Sequence, residues 1–452
     1  MIFLKRRRLI LWLIKAYIKK WGKTILLSMV LGLLAFFIIR FGLNMFIPLL
    51  PFSQQKTIGM VGAYTSDNLP ESILGQISRG LTYIDDKGEP KPDVATKWEV
   101  KNNGKTYIFH LNNNLRFTDG TRLTSSQIQY NFSDVITERP DDSTIIFKLK
   151  YSYSPFLVTV SHPIFKKGYI GLGNYKVQSI NINGNFVQSI NLLSTKDLNK
   201  ELSYQFYPTE DSLKNAFVLG EITEAENLSN LDYKNMSFKS FPNTIVNKQV
   251  NYDTLTTIFY NTQDKNLSDK RLREALSYAI PDNFNEGKRN YGPFPPNSWV
   301  NSGSLSTYSQ DIEHAKSLMN LSSASDSGKL VLTIQTLPEY KDLAKIIRDS
   351  WEKIGVKADI KVVNSLPSNF QVFLGEFNVP KDPDQYVLWH SDQESNITKY
   401  KNLRIDKLLE DGRQTMNLAE RTKIYSDFQK YLLDDPPATF VMFPYRYNVT
   451  RK

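Results

Sequence analysis

A run of sixteen residues without a charged side chain, residues 24–39, constrains the fold of this chain more than any other feature. After Arg40 the apolar pattern resumes and continues to Leu50. A helix that crosses the apolar core of a bilayer needs about 20 such residues. Residues 24–50 supply that length when the Arg40 side chain extends to the outer interface. The sequence therefore predicts one transmembrane helix within a segment that ends at residue 55.

Basic residues are concentrated before this run. Nine Lys and Arg residues occur in the first 55 positions, eight of them before Thr24, and no acidic residue accompanies them. Because basic flanks stay on the cytoplasmic side, we expect a cytoplasmic N-terminus, a single pass through the cell membrane and a large extracytoplasmic domain. A cleaved signal peptide is the first alternative, but no small-residue cleavage site follows the apolar run. A core helix of a soluble protein is the second alternative, and it would leave the charge asymmetry of the flanks unexplained.

The rest of the chain has a nearly balanced charge. It carries 47 Lys and Arg residues, which is 56 less those nine, and all 46 Asp and Glu residues. Such a surface lacks the positive charge that nucleic-acid binding requires. The chain has no Cys and four His residues that are far apart in sequence, so we expect no disulfide, metal site or cofactor.

Motifs typical of enzymes are also missing from the sequence. There is no complete phosphate-binding loop, no Gly-x-Ser-x-Gly nucleophile motif and no His-Glu-x-x-His zinc motif. Adjacent acidic residues such as Glu210 and Asp211 are interpreted as solvated or capping groups. Nothing in the sequence predicts an enzyme.

Hydrophobic periodicity indicates an α/β fold after the N-terminal segment. An Asn-Asn-Gly turn at 102–104 separates Trp98 from the alternating residues 106–111, which predicts a β-hairpin. In the second half, strands and amphipathic helices alternate, and Gly355 follows one helix as a stop signal. The elements predicted there are strands at 256–260, 330–335, 358–363 and 439–443 and helices at 269–280, 340–354, 403–416 and 419–433.

Short motifs follow one another in a specific order. They are ISRGLTYIDDKGEPKPDVATKW at 77–98, GKTYIFHL at 104–111, LRFTDGT at 115–121, GLGNY at 171–175, GEI at 220–222, FYNT at 259–262, DKRLREALSYA at 269–279, GPFPP at 292–296, DPD at 382–384 and WHS at 389–391. Over residues 57–448 this series resembles the dipeptide- and oligopeptide-binding proteins of ABC importers, extracellular solute-binding family 5. Two departures are the missing lipidated Cys and Val379, where peptide-binding relatives often have Asp.

The resemblance implies a type II periplasmic-binding-protein fold of two lobes, one of which carries an inserted subdomain. The transmembrane helix precedes these lobes and replaces the lipid anchor. The expected organisation is residues 1–55 as a cytoplasmic basic segment and anchor, residues 56–75, 168–250 and 435–452 as lobe I, residues 76–167 as its inserted subdomain, and residues 251–434 as lobe II.

The resemblance also suggests where a ligand contacts the cleft between the lobes. The segment after the first strand faces the cleft from lobe I, the segment at 375–378 pairs with the ligand backbone, and the loop after the Asp-Pro-Asp motif forms a wall. Glu376 is the candidate contact for a ligand cation. The predicted ligand contacts are Tyr64, Thr65, Gly375, Glu376, Phe377, Asn378, Trp389 and His390.

Each of these side chains also has a structural interpretation. Trp389 is equally compatible with a core position, His390 with a hydrogen bond to the backbone, and Glu376 with a solvated strand position. The sequence leaves these alternatives open.

By this resemblance the chain is a membrane-anchored, extracytoplasmic substrate-binding subunit of an ABC importer. It is expected to bind peptides or similar oligomeric solutes and to contact the permease subunits. A ligand-sensing or scaffold ectodomain without transport is the alternative. An enzyme on the same fold is a third possibility, against which the missing catalytic motifs argue.

Replacing Glu376 with Gln is the direct test of the predicted cation contact. The substitution keeps the shape of the side chain and removes its charge, so the dissociation constant for cationic peptides should rise while that for neutral peptides stays constant. Isothermal titration calorimetry measures both. An unchanged affinity for cationic peptides would remove Glu376 from the site.

Overall fold

The structure, a computed structural model, describes residues 2–37, 54–301, 307–322 and 330–452. The chain divides into two units, Met1–Gln55 with Asp197–Glu201 and Lys56–Lys196 with Leu202–Lys452. The first unit contains helix α1, Ile2–Phe37.

Within the described residues, no unbroken helix has the length and apolar character to cross a membrane. Two stretches, Lys15–Thr24 and Leu26–Phe37, meet these criteria together but are bent by 49° where they join. The predicted span at 24–50 extends beyond the described residues, so the transmembrane helix stays a prediction.

The second unit combines helices and strands. The helices are α2 Glu71–Ile77, α3 Phe156–Thr159, α4 Glu210–Leu219, α5 Lys270–Tyr278, α6 Ile312–Asn320, α7 Lys341–Glu352, α8 Tyr386–Trp389, α9 Leu403–Gln414 and α10 Leu418–Asp434. The strands are β1 Gln54–Val61, β2 Thr82–Ile84, β3 Pro90–Pro92, β4 Ala95–Lys101, β5 Thr106–Leu111, β6 Val135–Asp141, β7 Thr144–Leu149, β8 Tyr175–Asn183, β9 Phe186–Ser194, β10 Lys200–Tyr207, β11 Glu224–Leu228, β12 Asp232–Tyr233, β13 Met236–Ser237, β14 Thr244–Val250, β15 Thr254–Tyr260, β16 Gly287–Arg289, β17 Val331–Thr336, β18 Lys357–Val362, β19 Val372–Asn378 and β20 Ala438–Arg451.

A large mixed sheet forms the frame, in the order β18-β17-β19-β15-β20-β11-β1-β10-β9-β8. Strand β20 belongs to both halves of this sheet. Its first part pairs antiparallel with β15, from Ala438 to Met442, and its second part pairs with β11 and β14. Strand β14 also leads directly into β15. Two chain segments therefore pass between the halves, which is the arrangement of two lobes on a shared sheet.

The strand pairing bears on the proposed domain limits. The sequence assigns everything from residue 435 to lobe I, yet residues 438–442 pair with β15, which lies in lobe II. The reason is that β20 is long enough to extend through both lobes. We keep the four-part organisation as a proposal and place the boundary within β20.

The inserted segment contains a separate antiparallel sheet, β4-β5-β7-β6. Alternation along β5 buries Tyr107, Phe109 and Leu111, as expected for a strand with one face on a core. Asn102, Asn103 and Gly104 adopt positive φ values of 54°, 52° and 80°, which forms the predicted turn. The predicted β-hairpin is therefore confirmed.

Lobe II confirms the β-α-β order predicted from periodicity. Strands β17 and β18 are parallel, and α7 connects them. Leu343, Ile347 and Trp351 on α7 are buried against the sheet, at the four-residue spacing of one helix face. Gly355 has a φ of 84°, a conformation that suits Gly and ends this segment.

A close backbone contact joins the end of α2 to the Gly-Leu-Gly segment at 171–173. A Cβ atom at Gly171 would collide with the carbonyl oxygen of Ile77, and one at Gly173 with that of Gln76. The amide of Gly173 donates a 2.8 Å hydrogen bond to the Ile77 carbonyl. These glycines are therefore required by the packing distance between two backbones.

Gly171→Ala should lower the free energy of unfolding by about 1–3 kcal/mol, because the added methyl group overpacks a rigid backbone contact. Urea denaturation of the full chain measures the change.

Gly75→Ala is the matched control, because Gly75 also belongs to this region, within α2, and a Cβ atom there meets no other atom within 4 Å. It should leave stability unchanged or raise it by up to about 1 kcal/mol. Equal effects of the two substitutions would contradict the proposed packing constraint.

Candidate ligand-binding site

A cavity of about 850 Å³ is lined by residues from both of the proposed lobes. This volume falls within the range of about 300–1,000 Å³ that is usual for small-molecule sites. Its walls come from α2, from the turn between β2 and β3, from the segment between the lobes and from two loops of lobe II. The residues that line it include Glu71, Gly75, Asp85, Asp86, Lys87, Gly88, His162, Tyr252, Asp253, Asn297, Asn378, Val379 and Lys381.

An ion pair joins the two lobes at this cavity. Lys381, in the loop after β19, contacts the carboxylate of Glu71 at the start of α2. His162 Nδ1 lies 3.5 Å from the other carboxylate oxygen of Glu71. Burial raises the pKa of Glu71, but Lys381 and His162 outweigh it, so that the pKa is lower than usual. Glu71 is therefore ionised at neutral pH.

The turn between β2 and β3 also touches lobe II. The side-chain amide of Asn297 donates a 2.7 Å hydrogen bond to the Asp86 carbonyl, and the Trp299 amide donates a 3.3 Å bond to the Lys87 carbonyl. Gly88 has a φ of 86°, and a Cβ there would lie 3.3 Å from the Lys381 carbonyl oxygen. The turn therefore fits closely against the loop that contains Lys381.

A buried ion pair fixes the same loop from behind. Asp382 accepts two hydrogen bonds from the Arg421 guanidinium, 2.7 and 3.1 Å long, and both side chains are buried. Burial lowers the pKa of Arg421, but Asp382 raises it by more. Since Asp382 directly follows Lys381, this pair positions a wall of the cavity.

A second acid of the loop has a similar partner. Asp384 accepts a 2.8 Å hydrogen bond from Arg413 Nε. Burial raises the pKa of Asp384, and Arg413 only partly offsets this effect. Arg413 also stacks over the ring of Tyr386, 4.2 Å from its centroid. Helix α9 is thereby tied to the loop.

The inserted subdomain docks on lobe II near the same helix. Ser154 donates from its amide to the Arg413 carbonyl (2.7 Å) and from its hydroxyl to the Gly412 carbonyl (3.1 Å). Arg421 Nε also donates to the Gly412 carbonyl, at 2.9 Å. The end of α9 is therefore a common contact for the subdomain and for the buried pair behind the cavity.

The predicted contacts on β19 face different directions. Asn378 lines the cavity at the end of the strand. Phe377 points into an aromatic core with Phe259 and Phe440, and Gly375 is buried on the same face. Alternation along the strand places Glu376 on the opposite face, where Tyr340 hydrogen-bonds to it. Burial and this carboxylate raise the pKa of the Tyr340 hydroxyl.

The predicted lobe I contacts pack against their own lobe. The Tyr64 ring lies 4.9 Å from the ring of Phe206, and its hydroxyl donates a 3.2 Å bond to the Val61 carbonyl. The Thr65 carbonyl accepts a hydrogen bond from the Asn68 amide. Neither residue is among those described as lining the 850 Å³ cavity.

Trp389 and His390 are both interior residues. Trp389 is 1% exposed, and its indole N–H donates a 2.7 Å bond to Gln385. His390 is 4% exposed, stacks on Tyr386 and accepts a 3.2 Å bond from the Asp392 amide. Trp389 therefore occupies a core position, and His390 is hydrogen-bonded to the backbone. Their role as a ligand-facing wall stays a prediction.

Sequence reasoning missed most of the residues that line the cavity. No recognisable binding-site motif marks Glu71, Lys381, Asp253 or the turn at 85–88. Glu71 and Lys381 are 310 positions apart, so that folding alone brings them together. Val379, the position where peptide-binding relatives often have Asp, lines the cavity, and its amide donates a 2.8 Å hydrogen bond to the Asp253 carbonyl.

Comparisons with known proteins give a consistent assignment. The family model of bacterial extracellular solute-binding proteins, family 5 Middle, matches residues 89–399. The probable D,D-dipeptide-binding periplasmic protein DdpA of Escherichia coli K12 is 22% identical and aligns over 77% of this chain and 79% of its own length. The oligopeptide-binding protein OppA of Bacillus subtilis 168 is 20% identical over 84% of each chain.

A solved structure shows the same fold. NikZ from Campylobacter jejuni, in complex with Ni(L-His), superposes with a TM-score of 0.71 at 21% identity and covers 88% of this chain and 94% of its own. The predicted α/β periplasmic-binding-protein fold is therefore confirmed.

Asp382→Asn should lower the free energy of unfolding by about 3–5 kcal/mol, because it leaves the buried Arg421 without its counter-charge. Asp411→Asn is the control. Asp411 pairs with Lys407 at 2.8 Å on the exposed side of α9, and its loss should cost about 0.5 kcal/mol or less. Urea denaturation compares the two, and similar small effects would show that the buried pair does not hold the loop.

Proposed function

Because the chain belongs to the bacterial extracellular solute-binding proteins of family 5, we propose that it captures peptides or similar oligomeric solutes in the cavity between its lobes and delivers them to the permease of an ABC importer. The observation that carries this function is the 850 Å³ cavity. Both lobes contribute walls, and the two segments that connect the lobes allow hinge closure over a ligand.

The names of the relatives support peptides as the ligands of this chain. DdpA and OppA are named for the binding of dipeptides and oligopeptides. The relatives are binding proteins, which agrees with the expectation that this chain is not an enzyme.

Among the eight residues predicted from the sequence, Asn378 is our proposed ligand contact. The strand and loop behind Asn378 are proposed to be supported by Gly375, Phe377 and Trp389. The neighbouring edge of lobe I is proposed to be supported by Tyr64 and Thr65. Glu376 and His390 stay as predicted contacts, although neither lines this cavity. We add Glu71, Asp253 and Lys381 to the proposed site because they line the cavity.

The proposed location is extracytoplasmic. The N-terminal segment is proposed to be a single-pass anchor with its basic end in the cytoplasm, which would keep the binding domain near the permease. Support for the anchor comes from the sequence: the uncharged run at 24–39 and the basic residues before it.

Native mass spectrometry of the full chain, purified in mild detergent, tests the function. The protein should carry a series of masses that correspond to peptides, or should acquire them from a pool of tripeptides to octapeptides. Gly75→Trp should abolish this binding, because Gly75 lines the cavity and has open space around its Cβ position.

Glu313→Trp is the matched control, since it places the same side chain at an exposed position on α6. It should bind peptides like the unmodified chain. A chain that binds no peptide from the pool, or a Gly75→Trp variant that binds as much as the control, would contradict the proposed function.

A further inference from the structure

Helix α1 contains two stretches with different chemistry. Lys15–Thr24 has four lysines and no acidic residue, whereas Leu26–Phe37 has no charged side chain. The helix axis turns by 49° where the two stretches join. The basic stretch therefore does not continue in the direction of the apolar one.

The basic stretch has a lysine face. Lys15, Lys19 and Lys23 follow one another at four-residue spacing and are all exposed, so they form one stripe along the helix. Four more basic residues precede the stretch, at positions 5–8, and no acidic residue occurs in the first 55 positions. The stripe therefore offers a positive charge that its own sequence neighbours do not neutralise.

A second face of the same stretch is apolar. Tyr17, Ile18 and Trp21 share it through their three- and four-residue spacing, and this spacing places them away from the lysine stripe. Their exposed fractions are 65%, 59% and 46%. The part of the chain that the structure describes thus leaves this apolar patch largely uncovered.

A bilayer surface with negative headgroups matches both faces. A helix with one apolar and one lysine-rich face lies in the plane of the interface, where the apolar side chains enter the acyl boundary and the lysines stay among the headgroups. Tyr and Trp rings favour this depth. The bilayer is also close in sequence, because the apolar stretch that follows begins the predicted transmembrane span.

We propose that residues 15–24 lie in the plane of the cytoplasmic membrane surface and bind anionic phospholipids through the lysine stripe. This inference rests on the proposed function for its membrane anchor, and it goes beyond that function by assigning a lipid partner to the basic segment. The bend in α1 is then the point where the chain turns from the membrane surface into the bilayer.

The test uses the full chain in vesicles of phosphatidylcholine, with or without an equal amount of phosphatidylglycerol. Because the sequence has no Cys, the variant Ile18→Cys carries an environment-sensitive fluorophore at one position only. Its emission should shift to shorter wavelength in the anionic vesicles. Salt at about 1 M should reverse the shift, because the screening length falls to about 3 Å.

Two further labelled variants serve as controls. Ala16 is exposed and lies three and four residues before Lys19 and Lys20, so the label in Ala16→Cys should keep the emission that is typical of water. Leu33 belongs to the apolar stretch. The label in Leu33→Cys should therefore emit from apolar surroundings in both kinds of vesicle.

Charge variants of the Ile18→Cys chain test the lysine stripe. Each lysine near an anionic surface should strengthen binding by about fivefold. Joint replacement of Lys15, Lys19 and Lys23 with Gln should therefore weaken binding by about 100-fold, and the label should again emit as in water. Joint replacement with Arg keeps the charge and should preserve the shift.

Three results would overturn the inference. The first is the same Ile18→Cys emission in neutral and anionic vesicles, and the second is a shift that persists in the triple Gln variant. The third is a response to a DNA oligonucleotide but not to anionic vesicles, which would assign the stripe to nucleic acid. None of these affects the proposed peptide binding, whereas emission typical of water from Leu33→Cys would contradict the proposed anchor itself.

Discussion

The backbone pairing of β20 is the interaction on which the rest of the structure depends. Its first part completes the sheet of lobe II beside β15, and its second part lies between β11 and β14 in lobe I. Because its hydrogen bonds are fixed in both lobes, β20 determines where the lobes meet. The cavity, the loop of Lys381 and the turn around Gly88 are placed by that common strand.

The cavity wall also depends on a buried charge. Asp382 and Arg421 are both buried. Either charge would be costly to bury alone, so each side chain depends on the other as its partner. Arg421 also contacts the end of α9, where Ser154 of the subdomain docks. The loop that lines the cavity and the surface that receives the subdomain therefore share one support.

The sequence predicted the elements with clear periodicity and missed those without it. Helix α7 and the hairpin of β5 have one buried face, so their patterns are visible. Strand β8 is an edge strand with mainly exposed or half-buried residues, and it shows no such alternation. For the cavity, the resemblance pointed to the segment that contains Asn378, which is one of the lining residues. It could not give the direction of the Trp389 side chain, nor the contact between Glu71 and Lys381, because both depend on tertiary packing.

The position of β20 in the chain has a consequence for biosynthesis. It follows every other strand that the structure describes, yet it occupies the middle of the sheet. While the chain is being translated, β15 and β11 each expose an unpaired edge, and such edges promote association with other chains. The sheet can close only when β20 has left the ribosome. A nascent chain of this kind is a natural client for chaperones that keep it unfolded until synthesis is complete.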